Sequence, residues 1–186
     1  MLFITGLHCS GKTVAKNLIL KKNNFFCFDL GPCLRNIFKK SSKKSFKKWI
    51  KKGESVYGDQ FTDKVLVKYI KEKIKKAESK HKGVAIIGNR SFQGLKYIQN
   101  NLADPYGQDD LIVYIEAPDQ VLQKRWNKRE NTNLTVKEFR NKILNSKSEK
   151  DIKNIKERAD KIIQNNCEFK KFKEKMKVVV KDYFRN

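Results

Sequence analysis

The residues best suited to chemistry stand near the amino terminus, where Gly6-Leu7-His8-Cys9-Ser10-Gly11-Lys12-Thr13 satisfies the spacing GxxxxGK[ST] without a mismatch. Two glycines let the backbone curl so that successive N–H groups point into one concavity. A helix beginning at its end would aim its positive pole at the same place. Such a cradle suits a polyphosphate. Gly6, His8, Cys9, Ser10 and Gly11 would form its wall, Lys12 would reach the β- and γ-phosphates, and the Thr13 hydroxyl would ligate Mg2+. His8 reads as a spacer whose side chain can still touch a phosphate or a base. Arg125 and Arg129, four residues apart, share one face of any helix that contains them.

These residues need a frame that brings distant segments to one cleft, and the hydrophobic pattern predicts one. Short runs rich in Val, Ile and Phe read as buried strands at Leu2–Thr5, Phe25–Asp29, Val84–Gly88, Leu111–Glu116 and Lys161–Gln164. Helical spacing separates each from the next, so the class is α/β with a parallel sheet covered on both faces. Helix-start signals agree: Thr135 with Glu138 forms a capping box, Ser148 with Asp151 a second, and Pro118 stands where a first turn would begin. More than fifty residues part the second and third strands, too many for a simple crossover. An inserted subdomain at 33–80 is expected there, with Leu34, Ile37, Phe38, Phe46, Trp49 and Ile50 forming its buried side and paired lysines in water. Trp49, Tyr57 and Phe61 either stack on a base or pack together as core.

The chain resembles the nucleoside monophosphate kinase group of P-loop kinases, which includes adenylate, cytidylate and dephospho-coenzyme A kinases. Beyond the opening loop, the resemblance rests on "FDLGPCLR", "GESVYGDQFTDKVLVKYI" with its Thr62-Asp63 pair, "IIGNRSFQGLKYI", "APDQVLQKRWNKRE" and "ADKIIQNN". It implies a single P-loop kinase domain over 1–186 with sheet order 2-3-1-4-5, an acceptor-binding insertion at 33–80 and a lid at 125–147. It further implies ATP and Mg2+ as cofactors and a small nucleotide acceptor, ribo or deoxy. By that likeness Arg35, Arg90 and Arg129 would hold the acceptor's phosphate, Arg125 would face ATP, and Arg140 is a weaker candidate for a lid contact. The strand-three motif D-G-x-R departs from the family at Ile87, where an acid is expected. Asp29 is the obvious substitute for organising Mg2+, for accepting the proton of an acceptor hydroxyl, or simply for shaping the helix entry.

Composition narrows the remaining classes. The formal charge of +23 arises from 43 basic residues of which seven are Arg, a lysine-heavy mixture as consistent with coding bias as with a nucleic-acid surface. A nucleic-acid-binding nucleotide switch with weak catalysis therefore stands as an alternative, beside the hydroxyl-directed transfer of the dephospho-coenzyme A kinase kind that the resemblance implies. No run is long enough to span a bilayer and the first residues lack the pattern of a signal peptide, which predicts a soluble cytoplasmic protein without a membrane partner. Cys9, Cys27, Cys33 and Cys167 show no CxxC pair, so a structural zinc site or disulfide framework is not expected.

Overall fold

The apolar runs become five parallel strands in the order β2-β3-β1-β4-β5: β1 (Leu2–Thr5), β2 (Phe25–Asp29), β3 (Gly83–Ile87), β4 (Leu111–Glu116) and β5 (Lys161–Gln164). This is the order the family resemblance implied. Register runs Leu2 beside Ala85 and Leu111, and Asp29 beside Ile87. The expected third strand is displaced by one residue, because Gly88 at φ +89° leaves the extended region and turns the chain out of the sheet. The computed structural model describes residues 1–41, 43–76, 81–89, 91–166 and 168–185.

Helices follow as α1 (Lys12–Asn23), α2 (Leu30–Lys39), α3 (Phe46–Tyr57), α4 (Phe61–Lys75), α5 (Phe92–Asn101), α6 (Asp119–Glu130), α7 (Val136–Phe139), α8 (Lys147–Lys156) and α9 (Phe169–Tyr183). Alternation along β1 sends Leu2 and Ile4 to one layer with α1 and α9, and Met1 and Phe3 to the other with α4, α5 and α8. Both faces of the central strands are thus dry, each fully buried Ile or Leu contributing about 1.5–3 kcal/mol. Ile87 is 1% exposed within the α1/α9 layer, so the end of β3 offers no carboxylate to the loops above it.

A smaller third cluster, Ala117, Leu122, Phe139 and Leu144, joins α6, α7 and a π-helical turn at Arg140–Leu144. The capping box at Thr135 and Glu138 forms as expected, and its hydrogen bonds hold the Glu138 carboxyl below the usual range. Ser148, expected to open the second box, is not the N-cap of its helix. Helix α8 begins at Lys147 with Ser146 as its extended N-cap, which places Ser148 inside the first turn. Pro118 likewise caps α6 rather than opening it, its carbonyl accepting from Val121 and Leu122.

Between β2 and β3 runs a helical segment, α2 to α4. Its aromatic residues pack on one another: Trp49 meets Phe38, Phe46 and Phe61, and Tyr57 stacks on Phe61 at 5.8 Å. Gly53 is buried against Phe61, where any added Cβ would overlap the ring. Asp63, in the first turn of α4, lies against Gly94 of α5. Burial pushes its carboxyl up to about 6.

Candidate nucleotide site

The loop after β1 is shaped by backbone conformations that few side chains tolerate. Gly6 has φ +142°, Cys9 +61° and Gly11 +111°, and a Cβ on Gly6 would run into the Ile115 carbonyl. Ser10 N donates to Leu7 O at 3.2 Å, closing the turn. Helix α1 then starts at Lys12 with no side chain capping its N-terminus and no acid in its first turn, so its positive pole faces the loop's concavity. Lys12 Nζ folds back to donate to the carbonyls of Gly6 (2.6 Å) and Leu7 (2.8 Å). Thr13 stands exposed beside it. Burial raises the Cys9 thiol, against the lowering influence of Arg129 and Lys12, and so keeps it neutral.

Three distant segments brace the loop. Asn165, just past β5 and 6% exposed, donates through Nδ2 to Ser10 O at 2.7 Å. Arg125 of α6 donates to Cys9 O at 3.3 Å and to Asn165 O at 3.0 Å. From α8, Glu149 accepts the His8 N–H at 2.9 Å while only 1% exposed. The His8 ring lies between that carboxylate and Trp126, with ring centroids 5.6 Å apart. Arg129 covers the Trp126 ring at 4.9 Å and pairs with Glu130 at 2.7 Å.

Two clefts open on either side of this loop. One, of about 390 Å³, is lined by Lys12, Thr13, Arg125, Arg129, Asn165 and Phe169, the last 61% exposed. The other, of about 400 Å³, is lined by Lys12, Thr13, Lys16, Asp29, Arg35 and Glu149 among others. Asp29 accepts from Lys16 Nζ at 3.2 Å. The structure thus gathers Gly6, His8, Cys9, Ser10, Gly11, Lys12, Thr13, Asp29, Arg35, Arg125 and Arg129 around one loop. Arg90 lies outside the described residues, as does Cys167. Arg140 pairs with Asp119 at 2.5 Å, and Trp49, Tyr57 and Phe61 do not line either cleft. Among the described residues no group of His, Cys, Asp and Glu forms a metal cage by itself.

A family model described as an AAA domain matches residues 5–140, most of the chain. The chain belongs to this AAA-domain family. The fold of this AAA-domain chain is similar to that of shikimate kinase from Bacteroides thetaiotaomicron, at 15% identity, 100% of this chain, 98% of that one and a TM-score of 0.59. Shikimate kinase from Aquifex aeolicus aligns at 14% identity over 97% and 96% of the chains with TM-score 0.56. The tunicamycin resistance protein of Deinococcus radiodurans aligns at 12% identity over 96% and 94% with TM-score 0.57. At such identities the likeness is one of fold, the three-layer P-loop kinase architecture. No curated protein matches the chain in sequence, and no helix among the described residues is long and apolar enough to cross a membrane.

Sequence reasoning missed four residues of this AAA-domain site. Asn165 and Asn89 follow strand ends, the edge where open parallel sheets place their ligands, and that position was the available signal. Phe169 opens α9 beside the first cleft. Glu149 is one of two acids in a lysine-rich helix, and its only signal is its place three residues after Ser146.

Proposed function

We propose that this chain transfers the γ-phosphoryl group of ATP to a small acceptor, a nucleoside or deoxynucleoside monophosphate. The observation that carries the reading is that Lys12 and Thr13 line both clefts. A phosphate chain gripped by the loop from the first cleft would present its terminal group to the second. Transfer of that group needs two anions brought into line with their repulsion offset, and little covalent chemistry from the protein. Arg125 and Arg129 flank the donor side, where Phe169 offers an exposed ring for a base. Lys16 and Arg35 flank the acceptor side. On arrival of the triphosphate, Lys12 would exchange its carbonyl partners for phosphate oxygens, following charge as it shifts in transfer. Bound Mg2+ would neutralise the β- and γ-phosphates, with Thr13 and Asp29 the side chains this reading assigns to it. Helices α2 to α4 serve as the acceptor-binding insertion and residues 125–147 as the lid whose closure excludes water.

A hydroxyl acceptor is the second reading, favoured by one feature: the Asp29 carboxylate, 25% exposed, lines the acceptor cleft and can take a proton. ATP turnover measured against a panel of monophosphates and hydroxyl acceptors separates the two, since ADP release should depend on one class alone. Lys12→Ala should abolish that release. Acceptor-independent ADP formation that is unchanged by Lys12→Ala would refute transfer through this loop.

A further inference from the structure

Four buried polar side-chain atoms lack a hydrogen-bond partner among the described residues: Ser10 Oγ, Asn89 Oδ1, Gln108 Oε1 and Glu149 Oε1. Two of them, on Asn89 and Glu149, belong to residues that line the acceptor cleft with Lys12 and Thr13. Both residues are almost wholly buried, at 3% and 1% exposure. The other Glu149 oxygen is committed to the His8 N–H, and His8 Nε2, 3.7 Å from Oε1, can meet it as an ion pair when protonated but not through a hydrogen bond. Asn89 is fixed from behind, its carbonyl accepting the Thr5 hydroxyl at 3.0 Å.

We propose that Glu149, with Asn89, holds the hydrated divalent cation that accompanies the bound nucleotide; this rests on the phosphotransferase reading above. Both orphaned atoms are acceptors, so whatever satisfies them must donate hydrogen bonds or carry positive charge. A buried carboxylate beside a loop that grips phosphates would repel them unless a cation lay between. Magnesium keeps several of its waters in such sites, and those waters are donors. The end of β3 cannot supply the acid, because Ile87 is buried in the core. Asp29, assigned to the cation above, shares its charge with Lys16 at 3.2 Å, which leaves room for a second acid. Glu149 therefore completes the site from α8, and through the His8 N–H it ties cation binding to the shape of the loop. It acts as a positioning residue, touching the cation's water shell rather than the reacting atoms.

The test is calorimetry of ADP binding in EDTA and in Mg2+, with Mn2+ binding to the ADP complex read by electron paramagnetic resonance. Glu149→Gln, whose amide oxygen can still accept the His8 N–H, should weaken cation binding to the ADP complex by about tenfold or more and lower ADP affinity far more in Mg2+ than in EDTA. Asn89→Ala should weaken the cation less, by about threefold, a modest share of that outer-shell effect. Glu149→Asp, which keeps the charge, should retain more cation affinity than Glu149→Gln, and it serves with Asn89→Ala if the Gln variant does not fold. Unchanged cation affinity across these variants overturns the proposal. So does an equal loss of ADP affinity with and without metal, which would make Glu149 only a tether for the loop. Failure of the wild-type protein to bind ADP under either condition would sink the phosphotransferase reading itself.

Discussion

Asn165 offers the most direct way to ask whether bracing from outside the loop controls nucleotide binding. Its Nδ2 donates to the buried Ser10 carbonyl at 2.7 Å, while its own backbone N–H is held separately by Glu116 O at 2.7 Å. Asn165→Ala therefore removes the side-chain brace without undoing the end of β5. Leaving a buried acceptor unpaired costs about 1–3 kcal/mol, which for a chain of this length lowers Tm by roughly 4–8 °C at the middle of that range. The Ser10 carbonyl belongs to the peptide that carries the Gly11 N–H, so loss of the brace should also loosen the cradle. An affinity loss of about tenfold for ADP, roughly 1.4 kcal/mol, is expected by calorimetry. Asn165→Asp sharpens the test. It keeps the shape but turns a donor into an acceptor facing a carbonyl and adds a negative charge near the phosphates, offset in part by Arg125. ADP should bind the Asp variant more weakly than the Ala variant. Equal or tighter binding by the Asp variant would refute the view that this side chain acts by donating to the loop.

Two further perturbations probe the insertion. Burial lifts the Asp63 carboxyl from 3.8 to about 6, so the folded chain holds a proton there that the unfolded chain has released. Stability contributed by that site is highest below pH 3.8 and falls as pH rises to about 6. Asn at this position escapes the penalty: Asp63→Asn should stabilise the protein at pH 7 by up to about 3 kcal/mol and flatten this part of the stability–pH curve in denaturant titrations. Parallel curves for the two proteins would show that the carboxyl is not desolvated. Gly53→Ala pits helix propensity, a gain of about 1 kcal/mol, against overpacking of the Phe61 ring, a loss of about 1–3 kcal/mol. Net destabilisation is expected by thermal melting, and a rise in Tm would mean that α3 and α4 are not in close contact at Gly53.

The sheet was legible in the sequence because its chemistry is local. A parallel strand buried on both faces must be apolar throughout, and Leu2–Thr5 and Leu111–Glu116 show that run directly. The edge strand β5 was found by the same apolar reading, but the expectation that it is buried fails: at the sheet edge Ile162 is 44% exposed and Ile163 only half-buried. The opening loop was legible because its glycines mark backbone angles that other residues resist. The error at Ser148 has the same root: Ser146 and Ser148 both satisfy a capping pattern, and the choice between them depends on where the preceding π-helical turn releases the chain.

What could not be read is which polar side chain of several turns inward. Arg125 and Arg129 share a helix and the same spacing rule, yet one reaches the Cys9 and Asn165 carbonyls while the other lies on Trp126. The braces that give the loop its form span 155 residues for Asn165 to Ser10 and 141 for His8 to Glu149, separations at which no periodicity in the chain carries information. These contacts exist only once the strands have closed in order, because the ends of β3 and β5 and the start of α8 meet above the sheet at the mouth of β1. Local pattern therefore specifies the grip on phosphate, and tertiary convergence decides which groups stand ready to tune it. That division explains how an acid absent from its expected place at Ile87 can have the counterpart proposed in Glu149, on a helix whose start a capping pattern marked but whose inward-facing acid it did not.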